Sequence, residues 1–194
     1  EQSELLRFLN AHPFGAVVSA TEQGLTATHI PFLIEQEGEE IVLRSHLARA
    51  NPHWKQFGDN EALVIFQGAD AYISPAWYTQ HPSVPTWDYT AVHAYGVPTT
   101  FEGDALRQTV LKMVEVFEEN EPEQWQPELP ETFFVNMLKG IIGVEIRVTR
   151  LEGKYKLSQN RNEEEQVNVI SALKQRKDGK SHEIAQELER LQGR

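Results

Sequence analysis

Between Phe14 and Gly103 the chain returns repeatedly to one pattern: short runs of alternating apolar and polar residues, cut by turns that carry glycine or proline. A period of two puts alternate side chains on opposite faces of a strand, so the pattern commits the chain to sheets with one covered face. FGAVVSATEQGLTATHIPFLIEQEGEEIVLRSHL (14–47) reads as three strands, turned at EQG and QEGEE, where glycine gives the backbone its freedom. EALVIFQGADAYI (61–73) reads as a largely apolar strand, bent or bulged near Gly68, and TWDYTAVHAYGVPTTFEG (86–103) as a long one interrupted at Gly96 or Pro98. IIGVEIRVTRLEGKYKLS (141–158) predicts a hairpin turned at Glu152-Gly153.

Helical periods lie around these strands. SELLRFLNAH (3–12) is a short helix, and DALRQTVLKMVEVFEENE (104–121) is amphipathic, with Asp104 as its cap and Leu106, Val110, Met113, Val114 and Phe117 on one face. ETFFVNMLKG predicts a shorter helix ended by Gly140. From Asn162 the pattern changes to two helical segments joined by KDGK, so the division expected is a β-rich domain over 1–161 and a helical appendage over 162–194, packing on that domain or on a dimer partner. About six strands arriving as hairpins predict an antiparallel barrel or sheet with helices around it, an α+β fold, and disfavour a doubly wound parallel sheet.

The net charge of −11 argues against non-specific binding to nucleic acid or an anionic membrane, which needs a basic face. There is no cysteine, so disulfides and thiolate metal sites are excluded. With no spanning apolar run and no signal pattern, the expectation is a soluble cytoplasmic protein.

Two stretches carry candidate chemistry. RSHLARANPHW (44–54) gathers cations and donors directly after a strand, with Asn51-Pro52 placed to cap and start a helical turn. Arg44, Ser45, His46, Arg49 and Asn51 thereby offer charge-assisted hydrogen bonds to an anion such as phosphate; the competing reading is an ordinary cap flanked by surface ion pairs. His53 and Trp54 lie past the cap and are left out of that group. The second stretch, PTWDYTAVHAYG (85–96) with AYISPAWY (71–78), holds most of the tryptophan and tyrosine, suited to a flat ligand or a partner subunit as well as to core. No metal is expected, because the seven histidines lack facing spacing. Glutamates in SHEIAQELERL disfavour a DNA-recognition helix and favour packing.

HIPFL (29–33), SHLARANPHW (45–54), FQGADAYISPAWY (66–78), VPTWDYTAVHAYG (84–96) and LEGKYKLSQNR (151–161) together resemble the PaiB family, described as FMN-binding negative transcriptional regulators of protease synthesis and sporulation. The resemblance implies an antiparallel split β-barrel that dimerises with FMN at the subunit interface. It places the flavin ring along Thr28, His29, Ile30 and Pro31, and the phosphate at Arg44, Ser45, His46, Arg49 and Asn51. The second subunit would contribute from a strand like Trp87, Tyr89 and His93, with Lys156 and Arg161 as candidates on the substrate side. A DNA or regulatory-protein partner follows from the same likeness, with direct DNA contact set against the acidic charge. The alternative is an FMN-dependent oxidoreductase, although no acid–base pair here is specific enough to name a reaction. Ser45 stands where the family pattern has glycine, and Asp88 where it has asparagine.

Overall fold

A computed structural model describes residues 2–21, 24–126, 128–191 and 193. Among these, the order is α1 (Gln2–Ala11), β1 (Phe14–Thr21), β2 (Gly24–Pro31), β3 (Leu33–Glu37), β4 (Glu40–Ala48), a 3-10 turn (Pro52–Gln56), β5 (Ala62–Ile73) and a second 3-10 turn (Pro75–Trp77). It continues through β6 (Thr86–Gly96), β7 (Pro98–Phe101), α2 (Gly103–Glu118), α3 (Glu131–Leu138), β8 (Ile141–Arg147), β9 (Arg150–Lys156), α4 (Glu163–Lys174) and α5 (Gly179–Leu191). The strands form two sheets, ordered β2-β1-β5-β6-β9 and β3-β4-β8-β7.

The 14–47 stretch makes four strands rather than three, because the middle one changes sheet at Phe32. Pro31 has no N–H to continue a ladder, and Phe32 is 1% exposed, with its N–H on the Pro13 carbonyl at 2.9 Å and its ring 5.5 Å from that of Phe66. On one side of it Pro31 pairs with Phe14 of β1; on the other, Leu33 pairs with Arg44 of β4. Swallowing one aromatic side chain thus moves the chain from one sheet to the other.

The hairpin expected at Glu152-Gly153 does not form. Gly153 lies within β9, and the link between β8 and β9 is Val148-Thr149, whose N–H groups go to Ile41 O (2.9 Å) and Tyr95 O (2.8 Å). Those bonds belong to strands of different sheets, so β8 and β9 part company instead of pairing. In β5 the buried positions run Ala62, Val64, Phe66 and then Ala69, Ala71, Ile73, a one-residue slip at Gln67-Gly68 that marks a bulge. The long strand breaks after Gly96, where an added Cβ would stand 2.2 Å from the Arg147 carbonyl oxygen. That clash is with backbone, so only glycine fits.

The chain groups into two compact units, Glu1–Phe66 with His93–Glu152, and Gln67–Val92 with Gly153–Arg194; β5 and β6 run through both. The first unit buries Leu9, Phe32, Leu43, Leu47, Phe66 and Ile146. In the second, Ala69, Ala71 and Ile73 of β5 pack with Tyr78, Leu157 and the inner faces of α4 and α5. Each fully buried Leu, Ile or Phe contributes about 1.5–3 kcal/mol. Asp104 is not the cap of α2: the helix begins at Gly103 (φ +64°), and Glu102 holds the cap position without making a side-chain cap bond. No residue of α3 is buried despite its apolar composition.

Candidate functional site

Strand β4 delivers the RSHLARANPHW residues, and its alternation sorts them. Ile41, Leu43, Ser45 and Leu47 are buried on one face, whereas Arg44 and His46, on the other, are partly covered. Ser45 is fully buried and its hydroxyl donates to the Pro31 carbonyl, tying β4 to the end of β2. Arg44 meets three carboxylates: its Nη1 donates to Glu35, its Nη2 to Glu37 (2.6 Å) and its Nε to Glu145 (2.8 Å). Burial alone would lower its basicity, but the hydrogen bonds it donates to Glu37, Glu35 and Glu145 hold it above the ordinary arginine value. Its donors are spent on these acids, so the structure does not bring Arg44 together with Arg49.

Arg49 follows the strand and is oriented by backbone. Its Nε donates to Lys139 O and its Nη2 to Ile141 O, both at 3.0 Å, while its own N–H donates to Gly140 O at 2.8 Å. Trp54 completes the seat, with its indole N–H on the Arg49 carbonyl at 3.1 Å and its ring centroid 6.0 Å from the guanidinium carbon. The outer edge of the guanidinium carries the carboxylate of Glu102 at 3.3 and 3.0 Å, which holds that acid below the usual glutamate value. Arg49, Glu102, Gly103 and Lys139 line a cavity of about 550 Å³ between α2 and α3, together with Arg107 and Glu131.

Asn51 caps the 3-10 turn as expected, its side-chain oxygen accepting from His53 N at 3.0 Å. Its amide nitrogen donates to Thr28 Oγ1 at 3.2 Å, and the same hydroxyl lies 2.9 Å from His53 Nδ1. His53 thus packs against β2 rather than facing solvent. The cap bond turns its ring inward, fully buried, against β2 and Phe57. Burial lowers the pKa of both His53 and His46, and each retains a buried ring nitrogen without a partner, Nε2 and Nδ1 respectively. Ile30 is buried, Pro31 is half-buried, and His29 is exposed, with its ring 6.3 Å from that of Phe14 and nearly parallel to it.

Along β6, Trp87, Tyr89 and His93 share the more exposed face, while Asp88, Thr90 and Val92 are buried. Trp87 is 54% exposed and meets Tyr72 edge-on at 5.9 Å. Asp88 thus points away from the aromatic face: its Oδ2 accepts from Ser158 Oγ at 2.7 Å, and its Oδ1 lies 3.9 Å from Lys156 Nζ. Burial pushes the Asp88 carboxyl up, against the Ser158 hydrogen bond and the Lys156 charge. Lys156 also donates to Thr86 Oγ1 and Trp87 O. Arg161 sits 3.7 Å above the Tyr78 ring and 3.7 Å from the buried carboxylate of Glu165, which accepts the N–H groups of Thr79 and Gln80 at 3.0 and 2.9 Å. Both basic residues are therefore occupied within their own unit.

Among the described residues no His, Asp and Glu cluster could hold a metal, and no helix is long and apolar enough to cross a membrane. What the geometry supports is anion binding at Arg49. The carboxylate of Glu102 already occupies the guanidinium fork with two oxygens, the bidentate arrangement that phosphate shares. A phosphate-bearing cofactor therefore fits this donor set. Glu102, Lys139 and Ile141 are 53, 90 and 92 residues away from Arg49, so no local sequence signal marks them.

The comparisons agree with this architecture. Residues 1–150 match the family model described as "Putative FMN-binding domain". The chain is 38% identical over 190 residues to protease synthase and sporulation protein PAI 2 of Bacillus subtilis, covering 96% of this chain and 90% of that one. Among solved structures, the flavocytochrome Anf3 of Azotobacter vinelandii superposes with a TM-score of 0.61 at 14% identity, covering 86% of this chain and 73% of that one. An FAD- and heme-binding protein of Mycobacterium smegmatis also gives 0.61 at 14% identity, over 86% and 77%. At such identities the likeness speaks for the fold alone: an α+β split barrel whose two antiparallel sheets remain unclosed. The chain belongs to the PaiB family, whose domain is a split β-barrel that takes FMN as its cofactor.

Proposed function

We propose that this chain is a homodimeric, FMN-binding negative regulator of transcription, acting in the cytoplasm on protease-synthesis and sporulation genes. Its likeness to PAI 2 over almost its whole length supports the regulatory part. The flavin, when bound, supplies a redox-active ring; the chain's own residues supply the seat. Arg49 carries the reading of that seat, because its fork is aimed by two backbone carbonyls and already holds an anionic group.

The remaining residues fall into place around it. β2 ends its sheet, so among the described residues one edge of Thr28–Pro31 has no strand partner, and a flat ring with amide-like donors and acceptors can pair along it. Asn51 and His53 keep the Thr28 side chain in place by hydrogen bonds, and Ser45 fixes Pro31. Phe14, opposite Pro31 on β1, and Leu25, near the other end of β2, are 61% and 81% exposed, apolar surface that a second copy would cover, with its Trp87, Tyr89 and His93 facing the ring. Given the net charge of −11, the regulatory output runs through a protein partner rather than through unaided DNA contact.

Titration with FMN tests the seat. Arg49→Ala weakens FMN about ten- to a hundredfold, the loss of a charge-assisted pair, with little effect on riboflavin, which has no phosphate. Equal weakening of both flavins, or of neither, places the phosphate elsewhere. Sizing with and without FMN tests the dimer. Tight, salt-sensitive retardation of promoter DNA by the purified protein overturns the partner route.

A further inference from the structure

Glu102 stands at a junction between two claims on its carboxylate. It occupies the cap position of the 16-residue helix α2, where an acidic side chain ordinarily turns toward the unpaired N–H groups of the first turn. It makes no such bond. Its two oxygens instead reach across to the outer edge of Arg49, whose other donors are committed to the carbonyls of Lys139 and Ile141. The side chain is 59% exposed, and among the described residues its side-chain hydrogen bonds go to Arg49.

We propose that Glu102 is a built-in competitor for the flavin phosphate: it holds the Arg49 fork until a phosphate displaces it, and so limits how strongly the site prefers phosphorylated over unphosphorylated flavin. This rests on the reading of Arg49 as the phosphate ligand. The physics is one of exchange. A guanidinium fork accepts one bidentate anion at its outer edge, and carboxylate and phosphate compete for the same two N–H groups. Displacement is easy for two reasons: the pair is solvent-exposed, and the released carboxylate has the first turn of α2 to face instead. The adjoining cavity of about 550 Å³ gives both groups room. The exchange is a substitution of hydrogen-bond partners and needs no rearrangement of the backbone carbonyls that aim Arg49.

The same cavity supplies a control. Arg107 holds Glu131 in a second two-point pair, at 2.6 and 2.9 Å, but its guanidinium rests on the Phe134 ring at 4.9 Å and takes no part in the Arg49 seat. Glu102→Gln and Glu131→Gln remove the same charge from the same cavity, and only the first frees Arg49. The experiment measures dissociation constants for FMN and riboflavin in wild type, E102Q, E131Q and R49A, with melting curves to verify folding. The ratio of riboflavin to FMN dissociation constants rises about two- to fivefold in E102Q and changes by less than about 1.5-fold in E131Q, as expected for release of one exposed ion-pair partner. A similar rise in both variants reduces the effect to bulk charge and overturns the proposal. No rise in E102Q, with the ratio still falling in R49A, overturns the proposal and leaves the phosphate seat standing. An unchanged ratio in R49A removes the seat and the proposal with it. Should E102Q fold poorly, Glu102→Asp keeps the charge but cannot span the same distance, and it moves the ratio in the same direction.

Discussion

Arg44, within β4, and Arg49, in the turn just after it, stand five positions apart, and the resemblance assigns both to one phosphate. Their surroundings separate them. Arg44 is 21% exposed and answers three carboxylates from β3 and β8, so its charge is consumed in holding one face of a sheet together. Arg49 is 35% exposed and answers two backbone carbonyls and one exposed carboxylate. A carbonyl aims a guanidinium without neutralising it, whereas a carboxylate cancels its charge. On the reading of Arg49 as the phosphate seat, binding competence follows from the number of carboxylates that face an arginine, three at Arg44 and one exposed one at Arg49, and counting arginines in a motif does not reveal it.

The most forceful way to break this contrast is to remove Arg44. Its loss leaves Glu35, Glu37 and Glu145 as neighbouring like charges, one of them only 21% exposed. Arg44→Ala therefore destabilises the protein by about 1.5–3 kcal/mol in urea unfolding, the range for hydrogen bonds to charged groups, while the FMN-to-riboflavin preference stays where it was. A fall in that preference would make Arg44 a phosphate ligand after all. Acid unfolding gives a second, smaller reading of the same cluster. Hydrogen bonds from Arg44, then from Arg147, hold Glu37 below its ordinary value of 4.5. A carboxylate lowered in the folded state contributes stability that is fully present above its unfolded value and is lost as pH falls through the folded one. Wild-type stability therefore declines on acidification below that value, and Arg44→Ala declines less steeply over the same window. Parallel slopes would detach Glu37 from Arg44.

Much of the fold was legible because period-two alternation is a local signal. It placed the strand over 61–73, a bend or bulge near Gly68 and an interruption at Gly96 or Pro98, while capping preference marked Asn51. What it missed depended on partners distant in sequence. Phe32 sends the chain into a second sheet because Phe66 and the Pro13 carbonyl receive it, and no strand pattern announces that. Gly153 looked like a turn, yet the link sits earlier, where Val148 and Thr149 bond to strands of different sheets. For the site, Arg49 and Asn51 were singled out from one motif, whereas Thr28 entered through the family resemblance alone. His53 and Trp54 were set aside because they lie past the cap; the 3-10 turn, capped by Asn51, puts His53 Nδ1 beside the Thr28 hydroxyl and the Trp54 indole on the Arg49 carbonyl.

The smallest expected effect is the most discriminating for the aim of Arg49. Lys139 is a cation at the rim of the same cavity, and its Nζ bonds Asn136 Oδ1 at 2.9 Å. Only its backbone carbonyl touches Arg49, and that carbonyl is set by the turn in which Gly140 N returns to Met137 O. If the fork is aimed by backbone, Lys139→Ala leaves FMN affinity within about twofold of wild type, since losing an exposed charge near but not on the phosphate is worth little in salt. A tenfold loss in K139A would mean that the phosphate is gripped by the lysine side chain, with Arg49 reduced to a strut between α3 and β8. The contrast with Arg44 would then dissolve, because both arginines would be structural and the anion would belong to the one cation whose carbonyl, not its ammonium, had been credited.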